Sequence, residues 1–186
     1  MSTSNGRWTR RRVILAAVAT IPLVWRSRAW GREAGPEEDR KLALTNLHTG
    51  EELSVTFSEE HAMPADEVSA LRHLLRDYRV NEEHEMDFGL FVQLTDLARE
   101  AGVPASYEVI SGYRSPGTNA RLRATGHNVA EHSQHMLGRA MDVRLRDCPL
   151  SRLHDLALAA KRGGVGYYPR SNFVHIDTGR VRSWQE

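Results

Sequence analysis

The chain has 186 residues, a hydrophobic content of 40% and a net charge of +1, which suits one globular domain with a core of its own. The charge is uneven, because residues 1–29 hold six arginines and no Asp or Glu. The rest of the chain is therefore mildly acidic, and no nucleic-acid partner is indicated. The single cysteine, Cys148, excludes an intrachain disulfide and says nothing about the compartment.

The N-terminus has the features of an export signal. Thr9–Ile14, TRRRVI, resembles the twin-arginine motif of Ser/Thr-Arg-Arg-x followed by two apolar residues. Val13–Trp25 is an apolar run that is too short for a membrane span of about twenty residues. Ser27–Ala29 is a loose small-x-small cleavage site. We predict a twin-arginine signal over residues 1–30 and export to the periplasm by the twin-arginine translocase; a basic disordered tail is the alternative.

A polar linker over residues 31–40 then leads into a domain predicted over residues 41–186. Hydrophobic periodicity in this domain alternates between strand and helix patterns. The predicted strands are Leu42–Leu47, Leu53–Phe57, Ser106–Ile110, Arg139–Leu145, Val165–Tyr168 and Asn172–Asp177. The predicted helices are Ala65–Tyr78, Phe88–Ala101, Pro116–Thr125 and Pro149–Lys161. We expect an α+β fold, a small antiparallel sheet with flanking helices and an open face that holds the functional site.

Two segments near the C-terminus carry the candidate chemistry. SQHMLGRAMDV, Ser133–Val143, places His135 and Asp142 seven residues apart, and FVHID, Phe173–Asp177, adds His175. Two imidazoles and one carboxylate form a three-ligand set for a catalytic zinc ion, with the fourth position open for water. Bound zinc makes hydroxide available near neutral pH, which amide hydrolysis requires.

Strand alternation supports this ligand set. Asp142 lies on the opposite face of its strand from Met141 and Val143, and His175 lies on the opposite face from Val174 and Ile176. Two neighbouring strands could therefore direct Asp142 and His175 to one point, with His135 entering from the preceding loop. Gly138 allows a sharp turn after His135.

The composite motif Ser-x-His-x-x-Gly-x-Ala-x-Asp, followed by a strand with His, resembles a family of zinc peptidases. This family groups D-Ala-D-Ala carboxypeptidases, VanX-type dipeptidases and the hedgehog fold. The wider match is closest to its MepK (YcbK-like) murein endopeptidase branch. The matching segments are Asn46–Leu53, Ser111–Asn119, Ser133–Val143 and Gly163–Trp184. The resemblance implies zinc held by His135, Asp142 and His175, and peptidoglycan stem peptides as substrate, cleaved at a bond on meso-diaminopimelate.

The SGYRS segment supplies a further candidate. The resemblance implies that Arg114 lies near the scissile group, where a guanidinium can bind a carboxylate or a developing oxyanion. Ser111 and Tyr113 are weaker substrate-binding candidates from the same segment. Ser133 is a third, although it can equally hydrogen-bond within its own loop.

The general base is harder to assign. Several relatives have a Glu three residues before the last zinc His or a His two residues before it, where this chain has Asn172 and Phe173. Asp177 is the first candidate for the base, because residues i and i+2 of a strand share a face. Orienting His175 is its alternative role. His132 is the alternative base.

The sequence therefore predicts an exported zinc metallopeptidase that hydrolyses peptide cross-links in peptidoglycan. A carboxypeptidase that removes the terminal D-Ala uses the same chemistry and remains an alternative. A zinc-containing cell-wall binding module without catalysis is the third, favoured by Asn172 and Phe173 at the positions where relatives place a base. The sequence leaves the oligomeric state open.

Overall fold

The computed structural model describes residues 39–58, 63–125 and 129–186. The predicted signal over residues 1–30 and most of the predicted linker lie outside these residues, so both stay predictions, as does the domain boundary at residue 41. Within the described ranges, no helix is long and apolar enough to cross a membrane.

The described residues form a mixed α+β fold around one seven-stranded sheet. Its strands are β1 (Arg40–Asn46), β2 (Glu52–Phe57), β3 (Ser106–Ser111), β4 (Ala140–Leu145), β5 (Gly164–Tyr168), β6 (Phe173–Asp177) and β7 (Arg182–Gln185). The helices are α1 (Ala65–Leu74), α2 (Phe88–Ala101), α3 (Pro116–Ala124) and α4 (Leu150–Ala160), with a 3-10 helix at Gln134–Leu137. The α+β prediction is confirmed.

The order of the strands places the sequence-distant segments side by side. The sheet runs β2-β1-β3-β4-β6-β5-β7. Four pairings are antiparallel, while β1 with β3 and β5 with β7 are parallel, so the sheet is larger and less uniform than the small antiparallel sheet expected. The predicted pairing of the strands that carry Asp142 and His175 is confirmed, since β4 and β6 are adjacent.

One face of the sheet is covered by helices, and the core lies between them. α2 presents Leu90, Leu94 and Leu97 to this layer, and α4 presents Leu153 and Ala157. The sheet contributes Leu42, Leu44, Tyr107, Val109, Met141, Val143, Val174 and Ile176, all almost fully buried. Because strand side chains alternate, burying Met141, Val143, Val174 and Ile176 on this face turns Asp142 and His175 to the other.

Local signals set most element boundaries. The Asp87 side chain caps α2 by accepting from the Gly89 amide at 2.9 Å, and Gly102 ends that helix in the left-handed region at φ 74°. The Ser115 side chain caps α3 by accepting from the Thr118 amide at 3.2 Å, with Pro116 in the first turn.

The first helix is shorter than its periodicity predicts, since it ends at Leu74 instead of Tyr78. Tertiary contacts account for the difference. The Asn46 side chain donates to the Leu74 carbonyl at 2.8 Å, and the Tyr113 amide donates to the Leu75 carbonyl at 2.8 Å. These bonds use carbonyls that a longer helix would need for itself.

Gly138 is a position where the fold depends on a missing side chain. It ends the 3-10 helix at φ 64°, and a Cβ built there would collide with the backbone carbonyl oxygen of Glu85. Gly50 is also left-handed, at φ 74°, but a Cβ there would meet no atom of the described residues within 4 Å. Comparing alanine substitutions at the two positions therefore distinguishes the cost of backbone strain from the cost of a steric collision.

We expect Gly50→Ala to lower the free energy of unfolding by about 1 kcal/mol, from backbone strain alone. Gly138→Ala should cost at least about 1 kcal/mol more, because the segments around Glu85 and His135 must move apart. Urea denaturation of both variants at matched m-values measures the difference. Equal losses would show that the close approach at Gly138 carries no extra cost.

Candidate active site

Three buried side chains converge on the face of the sheet opposite the core. Asp142 lies opposite His175 in the β4–β6 pairing, and His135 comes from the 3-10 helix before β4. One ligand atom from each of the three lies within 4.8 Å of the others. The structure thus brings together the three residues that the sequence predicts as metal ligands.

The closest approaches identify the converging atoms. His135 Nε2 lies 3.1 Å from His175 Nδ1, and Asp142 Oδ1 lies 3.3 Å from His135 Nε2 and 2.9 Å from His175 Nδ1. Nitrogen lone pairs and a carboxylate oxygen repel one another at such distances unless a positive charge lies among them. A metal ion supplies that charge, and so does a proton on one imidazole.

Each imidazole has its outer nitrogen held by an acceptor. His135 Nδ1 donates to the Gly112 carbonyl at 2.7 Å, and His175 Nε2 donates to Asp177 Oδ2 at 3.0 Å. Such bonds select the tautomer that leaves His135 Nε2 and His175 Nδ1 free as ligands. The donor set and its supporting bonds therefore fit a bound divalent metal ion, and two imidazoles with one carboxylate are typical zinc ligands.

Charge within the cluster follows from burial and mutual contact. Burial lowers the pKa of His135, so its imidazole is neutral near pH 7. Burial alone would raise the pKa of Asp142, but the two histidines outweigh it and hold that pKa well below its usual range. Burial also acts to lower the pKa of His175, but hydrogen bonds to Asp142 and Asp177 raise it overall.

Both carboxylate oxygens of Asp177 accept hydrogen bonds from residues that the structure describes. Its Oδ1 accepts from the Gly164 and Gly179 amides, each at 2.8 Å, while Oδ2 binds His175 and the Arg182 guanidinium, the latter at 2.6 Å. The residue is 0% exposed. These donors lower its pKa despite burial, and the geometry favours the orienting role for Asp177 over the base role.

Arg182 also belongs to the site, because it binds the carboxylate that holds His175, and it was not predicted from the sequence. It lies on β7, directly opposite Gly164 of β5, and it reaches across to Asp177 on β6. A Cβ on Gly164 would collide with the Arg182 guanidinium and the Asp177 carboxylate. The sequence contains a matching pattern, Gly-x-Gly in β5 and Arg-x-Trp in β7. This pattern indicates a contact only once the two strands are known to pair, and the sequence does not show that pairing.

Arg114 lies beside the three proposed ligands. Its Nη2 is 3.8 Å from Asp142 Oδ2 and 3.5 Å from the Ser111 hydroxyl, and its amide donates to the His135 carbonyl at 3.2 Å. Burial lowers its pKa, but a guanidinium stays protonated at neutral pH. Its Nε is buried without a hydrogen-bond partner in the structure, so the guanidinium retains donor capacity.

Ser111 comes near Asp142 because β3 is irregular. A register shift between Val109 and Ser111 places Ser111 opposite Asp142, while Val109 stays opposite Val143 on the core side. Bulges of this kind often redirect a side chain beside a functional site. Ser111 therefore lies beside Asp142, and its contact with substrate stays a prediction.

The other predicted residues have different surroundings. The Tyr113 hydroxyl donates to Glu82 at 2.8 Å, and its ring stacks on His84, so the side chain is 6% exposed and packs within the domain. Ser133 caps the 3-10 helix by accepting from the His135 amide at 3.3 Å, which fits a role in placing His135. His132, the alternative base, is exposed.

Comparison with known proteins identifies the family. The profile described as peptidoglycan L,D-endopeptidase MepK matches residues 34–184. The chain is 47% identical over 145 residues to the peptidoglycan L,D-endopeptidase MepK of Escherichia coli K12, covering 78% of this chain and 80% of that one. It is 42% identical over 147 residues to the probable peptidoglycan L,D-endopeptidase MepK of Haemophilus influenzae, covering 78% and 79%. No solved structure matches it. The chain belongs to the peptidoglycan L,D-endopeptidase MepK family.

Proposed function

We propose that this protein is an exported, zinc-dependent peptidoglycan endopeptidase that hydrolyses L,D cross-links between stem peptides. Membership of the MepK family makes it a peptidoglycan endopeptidase. The observation that carries the mechanism is the convergence of His135 Nε2, His175 Nδ1 and the Asp142 carboxylate, with each outer imidazole nitrogen hydrogen-bonded.

The proposed ligands are His135, Asp142 and His175. When bound, zinc would supply a Lewis acid for the scissile carbonyl and a water of lowered pKa. Gly112 and Asp177 hold the two imidazoles in the tautomer and orientation that this requires. Arg182 in turn fixes the Asp177 carboxylate.

Arg114 is proposed to bind the substrate. A buried guanidinium beside an anionic ligand set is an anchor for negatively charged oxygen, either a substrate carboxylate or the oxyanion that develops at the scissile carbonyl. Stem peptides that contain diaminopimelate present free carboxylates, which suits this anchor. The cross-link between two such residues joins an L-centre carboxyl to a D-centre amine, consistent with the name of the relatives.

Cross-linked muropeptide dimers should be converted to monomers by the purified, zinc-loaded protein. A chelator should abolish the conversion and added zinc should restore it, because the ligand set is proposed to hold the ion that activates water. Mass spectrometry of the products identifies the bond that is cut.

Two outcomes of this assay contradict the proposal. Release of free alanine with cross-links intact indicates a carboxypeptidase. Full zinc occupancy with no cleavage of any muropeptide indicates a binding module without catalysis.

Asp177→Asn tests how the carboxylate acts. As an orienting group, its loss should weaken zinc affinity by roughly 10- to 100-fold while the rate at saturating zinc changes less. As a general base, its loss should leave zinc bound and lower the rate by about 10²- to 10⁴-fold. Zinc titration and turnover at saturating zinc separate the two, and we expect the first result. Arg114→Ala is the matched contrast, because it should keep zinc and lower turnover by about 10²-fold or more.

Action on the cell wall implies a location outside the cytoplasm, and we propose the twin-arginine pathway for Thr9–Ile14. Replacing Arg10 and Arg11 together by Lys should retain a reporter fused to residues 1–40 in the cytoplasm. Both residues must change because the adjacent Arg12 could compensate for one. Unaltered export of the double variant, or export in cells without the translocase, would exclude this pathway.

A further inference from the structure

The metal-site face carries an aligned row of residues across four strands. Asp142 on β4 lies opposite His175 on β6, His175 lies opposite Gly166 on β5, and Gly166 lies opposite Trp184 on β7. Residues directly opposite one another in a sheet share a face. Trp184 is therefore on the same face as the proposed ligands, two strands away from His175.

The missing side chain at Gly166 lets Trp184 close that gap. A Cβ on Gly166 would lie only 2.6 Å from Cε2 and 2.7 Å from Nε1 of the indole. The indole therefore lies over Gly166, and its ring centroid is 5.1 Å from that of the His175 imidazole. Trp184 forms the wall of the site next to His175.

The indole also holds a neighbouring phenol. Trp184 Nε1 donates to the Tyr168 hydroxyl at 2.7 Å, and the Tyr168 ring stacks on Phe173 at 4.4 Å. A phenol that accepts one hydrogen bond still has its own proton to donate. Among the residues that the structure describes, none accepts that proton in a hydrogen bond.

Tyr168 and Arg114 flank the ligand set from opposite sides. Tyr168 is on β5, on the same face as Gly166 two residues before it, whereas Arg114 contacts Ser111 at the end of β3. In the sheet order β3-β4-β6-β5, the strands that carry Asp142 and His175 lie between them. Burial raises the pKa of Tyr168 and outweighs the hydrogen bond from Trp184, which lowers it, so the phenol is protonated at neutral pH.

We propose that Tyr168 is a substrate-binding residue whose hydroxyl donates to a carbonyl or carboxylate oxygen of the bound stem peptide, and that Trp184 positions this hydroxyl. The proposal rests on the proposed function. It gives the site a donor on each side of the metal, with Arg114 charged and Tyr168 neutral. Phe173, which occupies a position where some relatives have a base, acquires a role as the platform for the Tyr168 ring.

Tyr168→Phe in the full chain removes the hydroxyl and keeps the ring. We expect zinc content and thermal midpoint to stay unchanged, while kcat/KM for dimer cleavage falls about 10- to 100-fold. A fall in kcat locates the accepting oxygen at the scissile bond, and a rise in KM locates it elsewhere on the peptide. Tyr167→Phe is the matched control, because Tyr167 faces the other side of β5 and stacks on His154. It should match the wild type.

Trp184→Phe tests the positioning role, since it keeps an aromatic wall and loses the N–H donor. It should lower kcat/KM less than Tyr168→Phe does, and the double variant should be no worse than Tyr168→Phe alone. Additive losses would show that Trp184 does not act through Tyr168.

A Tyr168→Phe enzyme with wild-type kcat/KM would overturn the proposal and leave the endopeptidase function intact. A wild-type protein that cleaves nothing would instead count against the function. If the wild type cleaves nothing, calorimetric titration of both proteins with the dimer tests whether Tyr168 donates a hydrogen bond to the bound peptide. Weaker binding by Tyr168→Phe supports this hydrogen bond, and equal affinity overturns it.

Discussion

The pairing of β4 with β6 is the constraint on which the rest of the site depends. It places Asp142 directly opposite His175 on the face that the core leaves uncovered. A shift of one residue would turn both side chains into the hydrophobic layer, because strand side chains alternate between faces. Met141, Val143, Val174 and Ile176 are fully buried in that layer, so the packing of the core fixes the register of the candidate metal site.

Around this pairing, the chain supplies hydrogen bonds that determine how each ligand is presented. His135 depends on a backbone carbonyl at Gly112, and His175 depends on a carboxylate that is itself bound by two amides and by Arg182. The two arrangements differ in charge. A neutral carbonyl supports His135, and an ionised Asp177 makes the His175 imidazole the more basic of these two proposed ligands.

The outermost strands complete the site because β5 lacks side chains where they would obstruct it. Gly164 and Gly166 leave open the space through which Arg182 and Trp184 of β7 reach Asp177 and His175 on β6. A parallel edge strand of four residues thus contributes directly to the environment of a histidine two strands away. The arrangement occurs twice on the same face of the sheet, once with Gly164 opposite Arg182 and once with Gly166 opposite Trp184.

Much of this site could be predicted from sequence, because the proposed ligands lie in two short segments and two of them, Asp142 and His175, alternate visibly with core residues. The strands of Asp142 and His175 and the two helices over the core have strong periodic patterns. β7 has no hydrophobic periodicity, since it is a short, half-exposed edge strand that takes its place from pairing with β5. The end of α1 and the bulge in β3 also depend on tertiary contacts. So do the hydrogen bonds that both Asp177 oxygens accept.

We propose that one metal ion is bound by His135 Nε2, His175 Nδ1 and the Asp142 carboxylate. A crystal structure of the zinc-loaded protein, with anomalous scattering measured at the zinc edge, tests it most directly. We expect one strong anomalous peak at about 2.0–2.2 Å from those three groups, with Asp177 still bound to His175 Nε2. A peak coordinated by His175 Nε2 or by Asp177, or no peak among the three side chains at full zinc loading, would contradict it.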